Sequence, residues 1–198
     1  MKLNWAERWV VNNPSRVFQQ RMEIGWLQRR MPLAAGAAVL EVGCGRGAGA
    51  DLILKSFHLD RMHTMDLDFE MIQRVGKYLP SSQKARVFTY TGDLTHLPHP
   101  NEAFDAVFGF GVLHHVPDWR RALAEVARVL RIGGIYFLEE IYPSVYQNFI
   151  TRHILLHPEE DRFSSTDLKE ALRSANLSLQ DTLECTQIGI LAVLVKTG

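Results

Sequence analysis

The feature that most constrains the fold is a short apolar run ending in closely spaced glycines, within residues 38–50. The apolar part predicts a buried strand, and the amphipathic segment from Ala48 predicts a helix, so the glycines between them occupy a tight turn. Without Cβ atoms, such a turn lets a ligand lie against the backbone. Free N–H groups at the helix N-terminus favour anionic groups, so the stretch predicts a nucleotide-type site. The glycines are Gly43, Gly45 and Gly47.

The glycine spacing alone leaves more than one interpretation open. Gly43-x-Gly45-x-x-Ala48 also matches the dinucleotide-binding pattern, which accepts alanine at its third position. A purely structural turn is another alternative. Glu41, a carboxylate on an otherwise apolar strand, favours a different cofactor. The form Glu-x-Gly-x-Gly-x-Gly resembles the first motif of class I S-adenosylmethionine (SAM)-dependent methyltransferases. The resemblance implies that Glu41 helps to hold the cationic methionine part of SAM.

Length and composition bound the remaining choices. The 198 residues predict a single domain, 1–198, with a core that needs neither disulfide nor metal. Lys+Arg and Asp+Glu both number 22, so the zero net charge gives no reason to expect a nucleic-acid partner. Cys44 and Cys185 have no metal-ligand spacing and indicate a reducing compartment. With neither a signal peptide nor an apolar run of about 20 residues, we expect a cytoplasmic protein without stable membrane insertion.

After the glycine turn, strand and helix patterns alternate, which predicts an α/β fold with a doubly wound, mostly parallel sheet between two helical layers. Strands are predicted over 38–42, 61–66, 86–90, 104–110, 135–139, 177–183 and 188–196. Helices are predicted over 48–57, 69–78, 118–130 and 166–175. We expect Gly133-Gly134 to stop the third helix with a left-handed cap. We expect Asp167 and Glu170 to form a capping box at the fourth.

Residues 1–31 precede the first strand and predict a helical N-terminal segment, with Asn13 as cap before Pro14. Aromatic and apolar residues recur at four-residue spacing on one face, at Phe18, Met22 and Trp26. The segment holds six basic residues against two acidic ones. Three interpretations stay open: a helix packed on the sheet with a solvated basic face, a lid over the site, and weak contact with a membrane surface.

A second departure from the alternation is the segment 141–163, which we interpret as an insertion on the substrate side. Aromatic residues of this insertion and of the N-terminal segment are expected to meet over the carboxyl ends of the strands. There they would bind an acceptor with apolar or aromatic surface. The expected acceptor-binding residues are Trp5, Trp9, Tyr142 and Tyr146.

Polar residues collect where successive predicted strands end, which is where ligands bind in open α/β sheets. Asp66 is placed to accept bonds from both ribose hydroxyls, whereas Asp68 is expected to cap the following helix. Asp93 is placed to accept from an adenine amine, with Leu94 packing on the ring. Each aspartate alone is more often a cap or turn residue. Carboxylates at three successive strand ends, counting Glu41, argue against coincidence.

The resemblance extends over residues 38–140. Thr64–Ile72 is similar to the second family motif, Thr91–Leu94 to the third, Phe104–Asp118 to the fourth, and Glu125–Gly134 to the segment before strand five. It implies strand order 3-2-1-4-5-7-6 with an antiparallel last strand. It also implies SAM as cofactor and S-adenosylhomocysteine as product. The expected cofactor-binding residues are Glu41, Gly43, Cys44, Gly45, Gly47, Asp66, Leu67, Asp93, Leu94 and Phe110.

The expected activity is methyl transfer to an O, N or C nucleophile of a small, partly apolar metabolite. Methyltransferases of DNA bases or protein amides usually carry Asn/Asp-Pro-Pro-Tyr/Phe after strand four. This chain has Gly109–His115 there, which favours a small molecule over a macromolecule as the acceptor. One alternative is a non-catalytic SAM-binding regulatory or partner subunit. A second is an NAD-dependent dehydrogenase, which leaves Glu41 and Asp93 unexplained and needs a further catalytic domain. The oligomeric state is not predicted.

Two adjacent histidines, His114 and His115, follow strand four. An imidazole with a pKa near ~6.5 is available as a base at neutral pH, so one of them is expected to assist deprotonation of the acceptor. His114 is the expected base, and His115 is expected to support the loop or the cofactor. The structural alternative is that one of them only bonds a backbone carbonyl. Adjacent side chains on an extended segment point apart, so no metal is expected.

Overall fold

The computed structural model describes residues 13–146 and 162–198, and in them seven strands form one sheet. The strands are β1 (Val39–Val42), β2 (Met62–Asp66), β3 (Val87–Thr91), β4 (Phe104–Phe110), β5 (Leu130–Ile141), β6 (Leu177–Cys185) and β7 (Gly189–Lys196). The helices are α1 (Pro14–Arg30), α2 (Ala48–Ser56), α3 (Phe69–Tyr78), α4 (Ser81–Lys84), α5 (Trp119–Val129), α6 (Pro143–Tyr146) and α7 (Ser165–Ser174). A 3-10 turn spans Leu113–His115.

The sheet order is β3-β2-β1-β4-β5-β7-β6, as the family resemblance implies. The pairs from β3 across to β5 are parallel, and β7 runs antiparallel to both of its neighbours. The chain order reverses between β1 and β4, which creates a crevice at the carboxyl ends of those two strands. The expected fold class is therefore confirmed.

The core lies on both faces of the sheet because successive strand side chains point to opposite sides. Leu40 belongs to an apolar cluster with Trp119 of α5. Its neighbour Val39 belongs to the other cluster, where the rings of Phe108 and Phe137 stack with centroids 4.4 Å apart. The middle of β7 is buried too, as its almost wholly apolar sequence predicts. The central strands that end at the crevice are thus packed on both faces.

Helix α1 begins as predicted, and only part of its apolar stripe is buried. The Asn13 side chain accepts a bond from the Ser15 N–H, and the following proline occupies the first turn. Of the stripe at four-residue spacing, Phe18 and Met22 are 68% and 60% exposed, and Trp26 is partly buried against the apolar core. Ile24 and Leu27 of the same helix are fully buried. Four-residue spacing therefore marks a stripe without showing which residues meet the sheet.

Two local predictions of helix ends are corrected. Helix α5 stops at Val129, and β5 begins at once because Leu130 pairs with Phe104 of β4. Gly133, with φ of +78°, lies inside β5 beside a register shift, so it belongs to an irregular strand rather than a helix cap. The capping box of α7 is formed by Ser164 with Asp167, not by Asp167 with a later glutamate.

Candidate active site

A cavity of about 380 Å³ lies at the carboxyl ends of β1, β2, β3 and β4. Its walls are the glycine turn, the ends of β2 and β3 with the loops that follow, and the loop after β4. Helix α1 adds the side chains of Arg16 and Gln20. Of the ten expected cofactor residues, the eight that line it are Gly43, Cys44, Gly45, Asp66, Leu67, Asp93, Leu94 and Phe110. Glu41 and Gly47 are absent from the lining formed by the described residues.

The glycine turn fits closely against the loop after β4. Gly43 has a φ of +70°, and a Cβ at this position would lie 2.6 Å from Cγ2 of Val112, so conformation and space both require glycine. The N–H of Gly45 donates to Oδ2 of Asp66 at 2.8 Å, which ties the turn to β2. Cys44 lines the cavity as a buried side chain, and burial raises the pKa of its thiol. The turn is thus fixed from two sides.

Asp66 ends β2 with its carboxylate in the cavity wall. Besides the bond from Gly45, its Oδ1 accepts from the Asp68 N–H at 2.8 Å. Burial raises the pKa of Asp66, and these backbone bonds oppose the rise. Each carboxylate oxygen has a second lone pair, so the group can still accept bonds from ligand hydroxyls. Asp68 caps α3 by accepting from the Glu70 N–H at 3.0 Å, as predicted.

Asp93 lies in an exposed turn after β3. Its Oδ1 accepts from both the N–H and the hydroxyl of Thr95, each at 2.8 Å. The bond from the Thr95 N–H is the main cause that lowers the pKa of Asp93, so the carboxylate stays ionised at neutral pH. Leu94 is buried and contributes an apolar surface to the same wall. The cavity therefore offers an anionic acceptor beside an apolar platform.

Glu41 lies behind the glycine turn and is only 2% exposed. Its Oε2 accepts from the Thr64 hydroxyl at 2.8 Å. Burial raises the pKa of Glu41 to about 8, although the Thr64 bond opposes the rise. A Cβ on Gly49 would lie 2.0 Å from Oε1 of Glu41 and 3.4 Å from Nε2 of Gln20. The carboxyl group therefore fills the space that a side chain at position 49 would need, next to the cavity.

The loop after β4 separates the two histidines. His115 lines the cavity together with the apolar Val112 and Val116. His114 is 4% exposed, and its Nδ1 lies 2.7 Å from Oε2 of Glu140 in the interior. The side chain that faces the cavity is thus the one expected to support the loop, and the expected base is buried behind it. Catalysis by either histidine stays a prediction.

The aromatic residues expected to bind the acceptor do not share the cavity. Tyr142 is buried and its hydroxyl donates to Oε1 of Glu184 at 2.7 Å. The ring of Tyr146 is buried against that of His114, with centroids 5.5 Å apart. Neither tyrosine is among the described residues that line the cavity. Trp5 and Trp9 lie outside the described residues.

Helix α1 reaches the cavity through residues that the sequence did not single out. The guanidinium of Arg16 pairs with Glu139 at the end of β5 at 2.6 Å and with Glu23 at 3.1 Å. Burial raises the pKa of Glu139 to about 7, and the charge of Arg16 opposes the rise. Arg16 and Gln20 are four residues apart, the spacing that places both on one side of a helix. This four-residue spacing is the sequence signal that could have identified the two residues.

Comparison with known proteins identifies the family. Residues 40–138, half of the chain, match the family model described as a methyltransferase domain. The chain belongs to this family. The match implies SAM as the methyl donor, which argues against the alternative of an NAD-dependent dehydrogenase. In the described ranges, no group of three or more His, Cys, Asp or Glu residues is arranged to hold a metal ion. None of their helices has the length and apolar character needed to cross a membrane.

Curated relatives resemble parts of larger proteins. A Mycolicibacterium smegmatis protein named as an S-adenosylmethionine-dependent methyltransferase is 34% identical over 157 residues, which cover 79% of this chain and 58% of the relative. A phthiotriol/phenolphthiotriol dimycocerosates methyltransferase of Mycobacterium tuberculosis is 37% identical over 111 residues, 55% of this chain and 39% of the relative. The sterol 24-C-methyltransferase erg6 of Aspergillus fumigatus is 28% identical over 130 residues, 65% and 34%. The chain thus spans between a third and three fifths of their lengths.

Solved structures show the same fold. A SAM-dependent methyltransferase from Aquifex aeolicus matches with a TM-score of 0.76 and 16% identity, covering 99% of this chain and 100% of that one. A Haloferax volcanii methyltransferase in complex with the Trm112 methyltransferase activator matches with a TM-score of 0.76 and 19% identity, covering 93% and 92%. At these identities the likeness concerns the fold, which is Rossmann-like.

The observed site fits SAM. Gly45 lines the cavity with a φ of +54°, and apart from its chain neighbours no atom of the described residues lies within 4 Å of its Cβ position, so a ligand can approach this part of the backbone closely. Asp66 and Asp93 offer acceptors for hydroxyl and amine donors at separate points of the cavity wall. Glu41 supplies a buried carboxyl group suited to a cationic partner. These are the hydrogen-bonding and charge requirements of a ribose, an adenine and an amino-acid tail.

Proposed function

We propose that this chain transfers the methyl group of SAM to a nucleophile on a partly apolar, lipid-type acceptor. The observation that carries the proposal is the composition of the cavity wall formed by the loop after β4. That wall is mostly apolar. Its polar side chains are the imidazole of His115 and, at the far end of the loop, the carboxylate of Asp118, which caps α5. The wall across β1 to β3 carries the other carboxylates. The wall residues are Phe110, Gly111, Val112, His115, Val116, Pro117 and Asp118.

The carboxylate side is proposed to hold SAM. Asp66 would accept from the ribose hydroxyls, and Asp93 would accept from the adenine amine beside the apolar surface of Leu94. Glu41 and the neighbouring amide of Gln20 would hold the methionine part. SAM supplies a methyl group that its sulfonium already activates, so the chain contributes alignment and exclusion of water.

The imidazole side is proposed to receive the acceptor. An apolar wall suits a hydrocarbon part, and two of the relatives are named for methylating phthiotriol lipids and sterols. His115, which lines this wall, would accept a proton from a hydroxyl nucleophile, because a neutral imidazole is a base near pH 7. Arg16 and Gln20 of α1 complete the enclosure, which corresponds to the lid interpretation of the N-terminal segment.

The test is transfer of label from methyl-labelled SAM to a panel of acceptors. The panel contains long-chain diols, phenolic lipids and sterols, set against small polar amines and catechols. We expect label in the lipid-type acceptors. For the base role, His115→Asn should lower kcat by about 10²-fold. His58→Asn is the matched control, since His58 is exposed and has a φ of +53° that asparagine tolerates.

Three results would contradict different parts of the proposal. Transfer confined to the polar acceptors would refute the lipid-type acceptor. Calorimetric binding of S-adenosylhomocysteine without transfer to any acceptor would favour the non-catalytic SAM-binding subunit. A kcat of His115→Asn equal to that of the control would remove the base role from His115. A cytoplasmic location and the partners of the chain stay predictions.

A further inference from the structure

One buried carboxylate, that of Glu140, organises the loop after β4. The residue is 1% exposed and lies near the end of β5. Its Oε1 accepts from the N–H groups of Val112 at 2.8 Å and Leu113 at 2.7 Å. Its Oε2 lies 2.7 Å from Nδ1 of His114. Three consecutive residues of the loop therefore bind to a single side chain, through bonds of the strong, charge-assisted kind.

His114 extends this arrangement to a second part of the chain. Its backbone carbonyl accepts from Nη1 of Arg162 at 2.7 Å. Its ring stacks on that of Tyr146 in α6, with an angle of 23° between the planes. The Arg162 guanidinium in turn lies 5.6 Å from the centre of the Tyr146 ring. His114 is thus fixed by contacts on its ring and on its backbone.

The loop held in this way carries the acceptor side of the cavity. Val112 and His115 both line it. The N–H of His115 donates to the carbonyl of Val112 at 3.1 Å, which closes the 3-10 turn. Val112 also packs against the glycine turn, where it occupies the space that a Cβ on Gly43 would need. A shift of the loop would therefore move His115 and alter the contact between the two walls.

We propose that His114 and Glu140 are positioning residues for methyl transfer, which hold the loop so that the imidazole of His115 faces the acceptor. This inference rests on the proposed role of His115. The pair acts through the loop, because the His114 ring is buried behind the cavity and bonded to Glu140. Its effect falls on alignment of the acceptor, since the carboxylates proposed to hold SAM lie on other strands.

Two substitutions of His114 separate positioning from chemistry. In His114→Asn, the side-chain amide can donate to Glu140 as Nδ1 does, but no imidazole remains. In His114→Leu, the volume is nearly kept and the donor is lost. Glu140→Gln provides a further variant that keeps an oxygen for the two loop N–H groups. Glu140→Ala removes that oxygen, so it keeps the proposal testable if His114→Leu does not fold.

The experiment combines readouts that do and do not require an acceptor. Amide exchange of Val112 and Leu113 and the ring signals of His115 are followed by NMR, and affinity for S-adenosylhomocysteine by calorimetry. In His114→Leu we expect exchange at least tenfold faster at both amides and shifted His115 ring signals. The dissociation constant should stay within about twofold. With an acceptor identified by the labelling test, kcat of His114→Leu should fall by 10-fold or more. His114→Asn and Glu140→Gln should each stay close to the wild type in all of these measurements.

The contrary outcomes are distinct. Equal loss of kcat in His114→Asn and His114→Leu, with unchanged ring signals of His115, would place His114 in the chemistry itself. Unchanged exchange and ring signals in His114→Leu would show that the pair only packs the interior. If the leucine variant does not fold, unchanged His115 signals and kcat in Glu140→Ala would overturn the proposal. If the wild type transfers to no acceptor, the proposed function fails, while the NMR readouts still decide the positioning.

Discussion

Substitution of Gly49 by alanine should damage both stability and cofactor binding. The added Cβ would meet Oε1 of Glu41 at 2.0 Å, and that carboxyl cannot retreat freely because it is buried and bonded to Thr64. Overpacking of this kind costs about 1–3 kcal/mol, and displacement of the Thr64 bond adds about 1 kcal/mol. The better helix propensity of alanine offsets at most ~1 kcal/mol. The net loss is about 2 kcal/mol.

For a chain of this length, that loss lowers Tm by about 4–8 °C. The assay is thermal unfolding with and without S-adenosylhomocysteine, and calorimetry of its binding. The matched control is Gly76→Ala, since Gly76 lies in α3 and a Cβ there meets nothing within 4 Å. The control should keep or raise Tm, by up to about 2–4 °C. A Gly49→Ala protein with wild-type Tm and affinity would refute the steric argument.

Two further predictions concern the same wall. Asp66→Ala removes the acceptor for the Gly45 N–H and should weaken SAM binding by about 10- to 100-fold. This corresponds to a loss of roughly 1–3 kcal/mol of binding free energy, measured by calorimetry. Undiminished affinity would exclude Asp66 from the site. Glu41 has a folded-state pKa of about 8 against an ordinary value of 4.5, so the folded state binds more protons between these values. Its contribution to stability is complete below pH 4.5 and is lost as the pH rises through 8. We expect the free energy of unfolding of the ligand-free wild type to decrease between pH 5 and 8, and to decrease less in Glu41→Gln. Parallel curves for the two proteins would refute this prediction.

Much of the fold was predictable because its central signals are local. Strand β4 and helix α3 have the predicted bounds, since an apolar run and an aspartate-capped amphipathic segment define them without help from the rest of the chain. The junction of α5 and β5 was not predictable in this way. There the pairing of Leu130 with Phe104 overrides a glycine pair that is typical of a helix end. The pairing of the two strands therefore set the end of α5 and the start of β5, although the local sequence favoured a later end of the helix.

The candidate site was predictable where residues follow strand ends and unpredictable where side-chain direction decides. Asp66 and Asp93 reach the cavity because parallel strands end at one edge of the sheet. His114 and His115 are neighbours in the same motif, and only the 3-10 turn determines which of them faces inward. Arg16 lies on α1, and the four-residue spacing of apolar residues did not show which side of that helix is buried. Sequence position therefore located the site but did not assign side chains within it.

The buried carboxyl groups of the site differ in how their burial is compensated. Glu139 faces the guanidinium of Arg16, and Glu140 accepts two backbone N–H groups and faces an imidazole. Asp66 accepts two backbone N–H groups. The carboxyl group of Glu41 accepts from a neutral hydroxyl, that of Thr64, and burial raises its pKa to about 8. A cation brought near Gly49, where Glu41 lies behind the cavity wall, would favour the ionised form of this carboxyl group, which is the physical reason to expect the cationic end of a ligand at that end of the cavity.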